Sequence, residues 1–122
     1  MGKIETFRQL TAWQEAHKLV LMVYQVTKDF PSEERYGLVS QMRRAAVSIP
    51  ANIAEGFKRR GIQEKIRFYN ISEGSLEELK YFHILSRDLN YLSSNDELMT
   101  QSETVGRLLN GLIASTERRR TP

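Results

Sequence analysis

The side chains best suited to binding chemistry are cationic and grouped. Arg43 and Arg44 are adjacent, Lys58, Arg59 and Arg60 form an unbroken run, and Lys65 and Arg67 follow closely. The net charge of +3, from 18 Lys and Arg against 15 Asp and Glu, is modest. Clustering, rather than the total, is what builds a local potential able to attract phosphate. These seven residues are the candidate nucleic-acid contacts. A further run, Arg118 to Arg120, also suits a helix C-terminus, where cations complement the helix dipole.

A second pattern lies in QMRRAAVSIPANIAEGFKRR, residues 41–60. At about 100° per residue, Gln41, Arg44, Ser48, Asn52, Glu55 and Arg59 fall in one narrow sector. Leu38, Met42, Ile49, Ile53 and Phe57 form a face about 120° away. The polar line has three readings: a solvated face, a seam whose polar groups satisfy one another, or a catalytic site. Glu55 and Arg59 have the favourable i,i+4 order for an ion pair. No histidine, second clustered carboxylate or glycine loop accompanies Ser48, Asn52 and Glu55, so catalysis has the least support. His17 and His83, the only histidines, flank apolar faces and read as structural. Without cysteine, a His-x-x-x-His pair or a phosphate loop, metal and nucleotide chemistry have no foundation. No catalytic residue, metal or cofactor is expected, and the chain reads as non-enzymatic.

These residues need helices to position them. Apolar residues recur at spacings of three and four, with no sustained alternation of period two. Helices are expected over about 11–29, 33–59, 62–91 and 95–118, with an irregular first turn at Tyr36-Gly37. Thr11 with Gln14, and Ser94 with Glu97, match the capping-box spacing, and Gly61 is an acceptable cap for the third helix. Phe30-Pro31 ends the first helix. Pro50 lies inside the second, removes one amide from the ladder and is expected to kink it. Short connections favour antiparallel neighbours, so the expected fold is all-α: a single-domain, up-down-up-down four-helix bundle over 1–122. The starting residues MGKIETFRQLTAWQEAH lack the features of a secretory signal, and LVLMVYQV is too short to span a bilayer. The expected location is the cytoplasm, with no membrane partner.

Helix one carries more apolar surface than a bundle stripe needs. Ala12, Ala16, Leu19, Val23, Val26 and Phe30 make one stripe, and Trp13, Val20, Leu21, Met22 and Tyr24 fall outside it. A helix apolar nearly all round is buried on more than one side, so contact with another subunit is expected there. Helix three has one stripe of Phe68, Ile71, Ser75, Leu79, Phe82 and Leu89, and a second with Ile62, Ile66, Tyr69 and Leu76. Gly74 and Ser75 would let a neighbouring backbone approach, and Glu78 could accept from Arg44 or Asn52. The candidate inter-helix or inter-subunit seam is therefore Trp13, Leu21, Met22, Ser48, Pro50, Asn52, Glu55, Gly74, Ser75 and Glu78.

The aromatic-Gln-x-Ala element at Trp13–Ala16, Phe30-Pro31, the segment Gln41 to Gly56 and the segment Gly74 to Leu79 together carry a family resemblance. From about Phe7 to Leu112 the chain resembles the four-helix-bundle proteins encoded in intervening sequences of bacterial 23S ribosomal RNA genes. These are related to the accessory variability determinant of diversity-generating retroelements. Gln41, Arg43, Arg44, Ser48, Pro50, Asn52, Glu55, Gly56, Gly74, Ser75 and Glu78 match the family's motif positions. Gly61 departs from the Ser or Thr cap often found there. The resemblance implies a homo-oligomer, typically a pentameric ring, with a basic surface for RNA or DNA. It implies no catalytic role for the matching residues. An accessory subunit that partners a reverse transcriptase or another nucleic-acid enzyme is the alternative.

Overall fold

Spacings of three and four put one apolar stripe of each helix on a shared core. The computed structural model describes residues 3–119. It contains α1 (Thr11–Thr27), α2 (Leu38–Lys58), α3 (Ile62–Asp88) and α4 (Leu98–Arg118), with short 3₁₀ turns at Phe7–Gln9 and Ser32–Glu34. No strand occurs among the described residues. Arg120 of the C-terminal basic run lies outside them.

Each helix boundary has a local cause. Thr11 is the first residue of α1, not its cap; Leu10 occupies the cap position. The capping-box chemistry sits one turn earlier, where Gln9 Oε1 accepts from the Thr6 amide at 3.0 Å. Gln14 instead donates to the Arg8 carbonyl. The expected irregularity at Tyr36-Gly37 is a full break: α2 begins at Leu38, whose amide donates to Glu34 Oε1. Gly61 caps α3 as expected. At the other end, α3 stops at Asp88, three residues before the expected limit, because Asn90 turns left-handed with φ 63°. The Tyr91 amide then donates to the Ser86 carbonyl and the Asn90 amide to the Arg87 carbonyl, the Schellman arrangement. Helix α4 starts at Leu98 rather than 95, with Asp96 Oδ1 accepting from the Leu98 amide at 2.9 Å.

The core draws on all four helices. Ala12, Ala16, Leu19, Val20 and Val23 of α1 meet Met42, Ala46, Ile49 and Ile53 of α2, Tyr69, Leu76, Leu79 and Phe82 of α3, and Leu98, Val105 and Leu109 of α4. Val26, Leu108, Leu112 and Ile113 are half-buried against it. The stripe of α3 differs from the expected one. Tyr69, Ser72, Leu76, Leu79, Phe82, His83 and Ser86 face inward, whereas Ile71 and Leu89 are exposed. Three of the inward residues are polar, which hides the stripe from an apolar count. Their groups are met locally: Ser72 Oγ donates to the Ile49 carbonyl and Ser86 Oγ to the Phe82 carbonyl. Between α2 and α3, contacts join Phe57 to Lys65, Gly56 to Tyr69, Ile49 to Ser72 and Ser48 to Ser75. Residue numbers thus fall along α2 as they rise along α3.

Candidate nucleic-acid interface and seam

The C-terminal turn of α2, the first turns of α3 and the last turn of α4 converge at one end of the molecule. Lys3, Lys65, Tyr69, Thr116 and Arg119 line a common pocket there. The candidate cations near this end divide into two groups. Lys65 turns inward, and its Nζ donates to the carbonyl of Phe57 at 2.6 Å and to that of Gly56 at 3.4 Å. It therefore satisfies the Phe57 carbonyl at the end of α2 and joins the Arg59 amide on that of Gly56. Burial lowers the Lys65 pKa, and nearby Arg119 lowers it further. Arg59 donates to Glu55 Oε2 at 2.9 Å, and Arg67 reaches both oxygens of Glu64 at 3.1 and 3.2 Å. The Arg67 hydrogen bond holds the exposed Glu64 carboxyl below its ordinary pKa. Lys58, Arg60 and Arg118 are exposed, and their side chains make no hydrogen bond or ion pair among the described residues.

The other two cations lie elsewhere. Arg43 joins α2 to α1: its Nε donates to Thr27 Oγ1 at 3.0 Å, and its guanidinium lies 4.4 Å over the Tyr24 ring. Arg44 is exposed and lines a groove between α2 and α3 with Tyr36, Gln41, Ser48, Ser75 and Glu78. The seven residues grouped by sequence are therefore not one surface.

Some of the candidate seam residues lie between α2 and α3. Asn52 Nδ2 donates to the carbonyl and hydroxyl of Ser48, and Ser75 Oγ donates to Ser48 Oγ at 2.8 Å. The Ser48–Ser75 bond joins α2 to α3, whereas the Asn52 bonds stay within α2. Pro50 is buried inside α2, which continues through it. Glu55 is exposed in its pair with Arg59. Gly74 has no neighbour near an added Cβ among the described residues, so no helix of the same chain approaches it closely. Gly56 takes that role: a Cβ there would lie 2.6 Å from Tyr69 Cε1 and 3.1 Å from the Lys65 carbonyl oxygen. Glu78 accepts from neither Arg44 nor Asn52. It is solvated and needs no partner.

Much of the apolar surplus of α1 goes into the core. Val20 is buried and Met22 is half-buried against the core. Trp13 meets Phe7 edge-on at 5.1 Å and stacks on His17 at 5.2 Å. Leu21 remains 57% exposed, beside Gln14, Lys18 and Gln25 on the same outer sector of the helix. Tyr24 and Val47 are also exposed and line a second groove with Tyr36, which is 89% exposed.

A cluster outside both candidate sets lies at the opposite end. His83 and Asp96 have side chains only 4% and 8% exposed, with Nε2 and Oδ1 at 2.8 Å. Arg87 bonds to Asp96 Oδ2, also at 2.8 Å. His83 Nδ1 is buried and has no hydrogen-bond partner among the described residues, so the ring's one hydrogen bond among them is to Asp96. Burial would raise the Asp96 pKa, but bonds from the Leu98 amide and Arg87, with the nearby His83, hold it below its ordinary value. The i,i+4 spacing of His83 and Arg87 was legible in the sequence; the third member was not.

Among the described residues, no three His, Asp or Glu side chains are placed to hold a metal ion, and no helix is long and apolar enough to cross a membrane. Comparison with curated proteins yields no match. The family described as 23S rRNA-intervening sequence protein matches residues 8–111, most of the chain. With that match and its four helices, the chain belongs to the 23S rRNA-intervening sequence protein family.

Proposed function

We propose that this protein is a non-enzymatic homo-oligomer that binds structured RNA or DNA through its basic end. The protomer in this reading is an up-down-up-down antiparallel bundle with α2 bent at Pro50, and the assembly is a pentameric ring in the cytoplasm. The observation that carries it is the exposure of Lys58, Arg60 and Arg118, without acidic partners among the described residues, where three helix ends meet. A ring repeats that cluster in every subunit, and linked copies bind a long polyanion more tightly than one copy does. Displacement of counterions then makes binding fall steeply with salt. The exposed Leu21, Tyr24, Val47 and Tyr36 support subunit contact on the α1–α2 side.

The test is a solution mass measurement with and without a structured RNA, at low and high salt. A multimer whose RNA affinity drops with salt supports the reading; a stable protomer, or affinity flat across salt, overturns it. A second reading, an adaptor for a protein such as a reverse transcriptase, draws on Tyr81 and Ile84. Both are exposed on α3, away from the basic end. Recovery of nucleic acid alone by the tagged protein from native extract would count against it.

A further inference from the structure

We propose that Arg59, Phe68 and Arg67 form a stacking platform for an unpaired nucleobase, a role that rests on the nucleic-acid reading above and narrows its ligand. The guanidinium carbons of Arg59 and Arg67 lie 4.7 Å and 4.6 Å from the centroid of the Phe68 ring. Phe68 is half-buried near the start of α3, and Arg59 follows the last residue of α2, so two helix ends build one surface. Each guanidinium is also held by a carboxylate: Glu55 for Arg59, and Glu64 through both oxygens for Arg67. The side chains of Arg59 and Arg67 nevertheless remain 44% and 57% exposed.

This geometry changes what the two arginines can offer. Their charge is balanced by Glu55 and Glu64, and part of their N–H edge is already engaged. They are weaker phosphate anchors than Lys58 and Arg60. A planar cation fixed over an aromatic ring still presents flat surface, and nucleobases stack on both guanidinium planes and aromatic side chains. Lys58 and Arg60 flank Arg59 in the chain and keep their charge. The surface therefore joins a flat, nearly neutral centre to cationic neighbours, matching one splayed base between two phosphates. Bases inside a duplex are already stacked and cannot supply that face. Loops, bulges and frayed ends can.

The test uses fluorescence anisotropy with the full-length protein and two RNAs of equal length: a hairpin with a wide unpaired loop and a blunt, fully paired duplex. Phe68→Leu and Arg67→Lys are compared with the double variant Lys58→Gln/Arg60→Gln. The first two should weaken hairpin binding about fivefold or more, since each stacked base contributes strongly. They should leave the duplex within about twofold and keep the slope of log Kd against log salt, because no net phosphate contact is lost. The double variant should weaken both RNAs and flatten that slope. Equal losses on both RNAs, or no loss on the hairpin, overturn the platform while the phosphate reading stands. Failure of the unaltered protein to bind either RNA overturns both. If Phe68→Leu disturbs the fold, Arg67→Lys decides alone, since it alters an exposed side chain and keeps its charge. The same loop in DNA separates the sources: equal binding assigns the platform to bases of either polymer, and loss in DNA assigns it to RNA.

Discussion

Where α3 gives way to α4, Asp96 receives hydrogen bonds from His83, Arg87 and the Leu98 amide, and the Tyr91 hydroxyl donates to Glu34. Where α2 gives way to α3, Gly56 packs on Tyr69 while Lys58 and Arg60 extend into solvent. The first junction closes with charges that the fold consumes. The second closes with apolar contact and one ammonium, Lys65 on the Phe57 carbonyl, and leaves two further cations over. A buried carboxylate needs partners to offset its desolvation, whereas a glycine against a ring needs only space. The junction that uses only part of its charge to hold the helices together is the one where charge remains available for a ligand.

Substitutions can break or sharpen that contrast. The largest effect is expected from Asp96→Ala, which removes the acceptor of the Leu98 amide at the start of α4 and strands His83 and Arg87. A loss of about 3 kcal/mol in denaturant unfolding is expected, since a buried polar group would lose its partner. A loss near zero would place Asp96 among ordinary surface charges. Its pH dependence has a definite sign. The folded carboxyl titrates below 3.8, so the unfolded chain takes up a proton first as the medium acidifies. The stability it contributes is complete above the ordinary carboxylate range and is lost as pH falls through 3.8 toward the lower folded value. Asp96→Asn should flatten that acid limb in thermal melts across pH.

At the other junction, Gly56→Ala should cost about 2 kcal/mol, because the Tyr69 ring and the Lys65 backbone must both give way. Gly74→Ala is its control. Nothing lies within 4 Å of the added methyl, and alanine is the better helix former, so a gain of about 0.5–1 kcal/mol is expected. If both glycines respond alike, space at the Tyr69 contact is not what distinguishes them. The smallest stability effect belongs to Lys58→Gln/Arg60→Gln, within about 0.5 kcal/mol by chemical denaturation. A large loss there would show that these cations serve the fold after all.

Parts of the fold were legible in local spacing and parts were not. The core stripe of α1 follows from apolar recurrence, with only Val26 pushed to the margin. The stripe of α3 does not, because Ser72, His83 and Ser86 are buried by bonds to Ile49, Asp96 and Phe82 rather than by their own hydrophobicity. The end of α3 was overrun by three residues because a helical pattern continues past Asn90. The left-handed turn there is a backbone choice that asparagine permits without requiring. The polar sector of Ser48 and Asn52 was legible because a narrow polar line beside an apolar face must meet a neighbour or water. Which of the two it meets depends on where α3 lies.

The sequence alone determined four helical segments, most of the core, the clustering of cations and the family. These follow from short-range periodicity and from residue types that a chain carries wherever it folds. Only the tertiary structure decided which cations remain for a ligand. Arg43 is tied to the end of α1 and Lys65 to the end of α2, while Arg59 and Arg67 meet over Phe68. A charge count treats every lysine and arginine alike. Whether one meets a carbonyl, a carboxylate, a ring or water depends on which helix ends are brought together, and that is a property of the packed molecule.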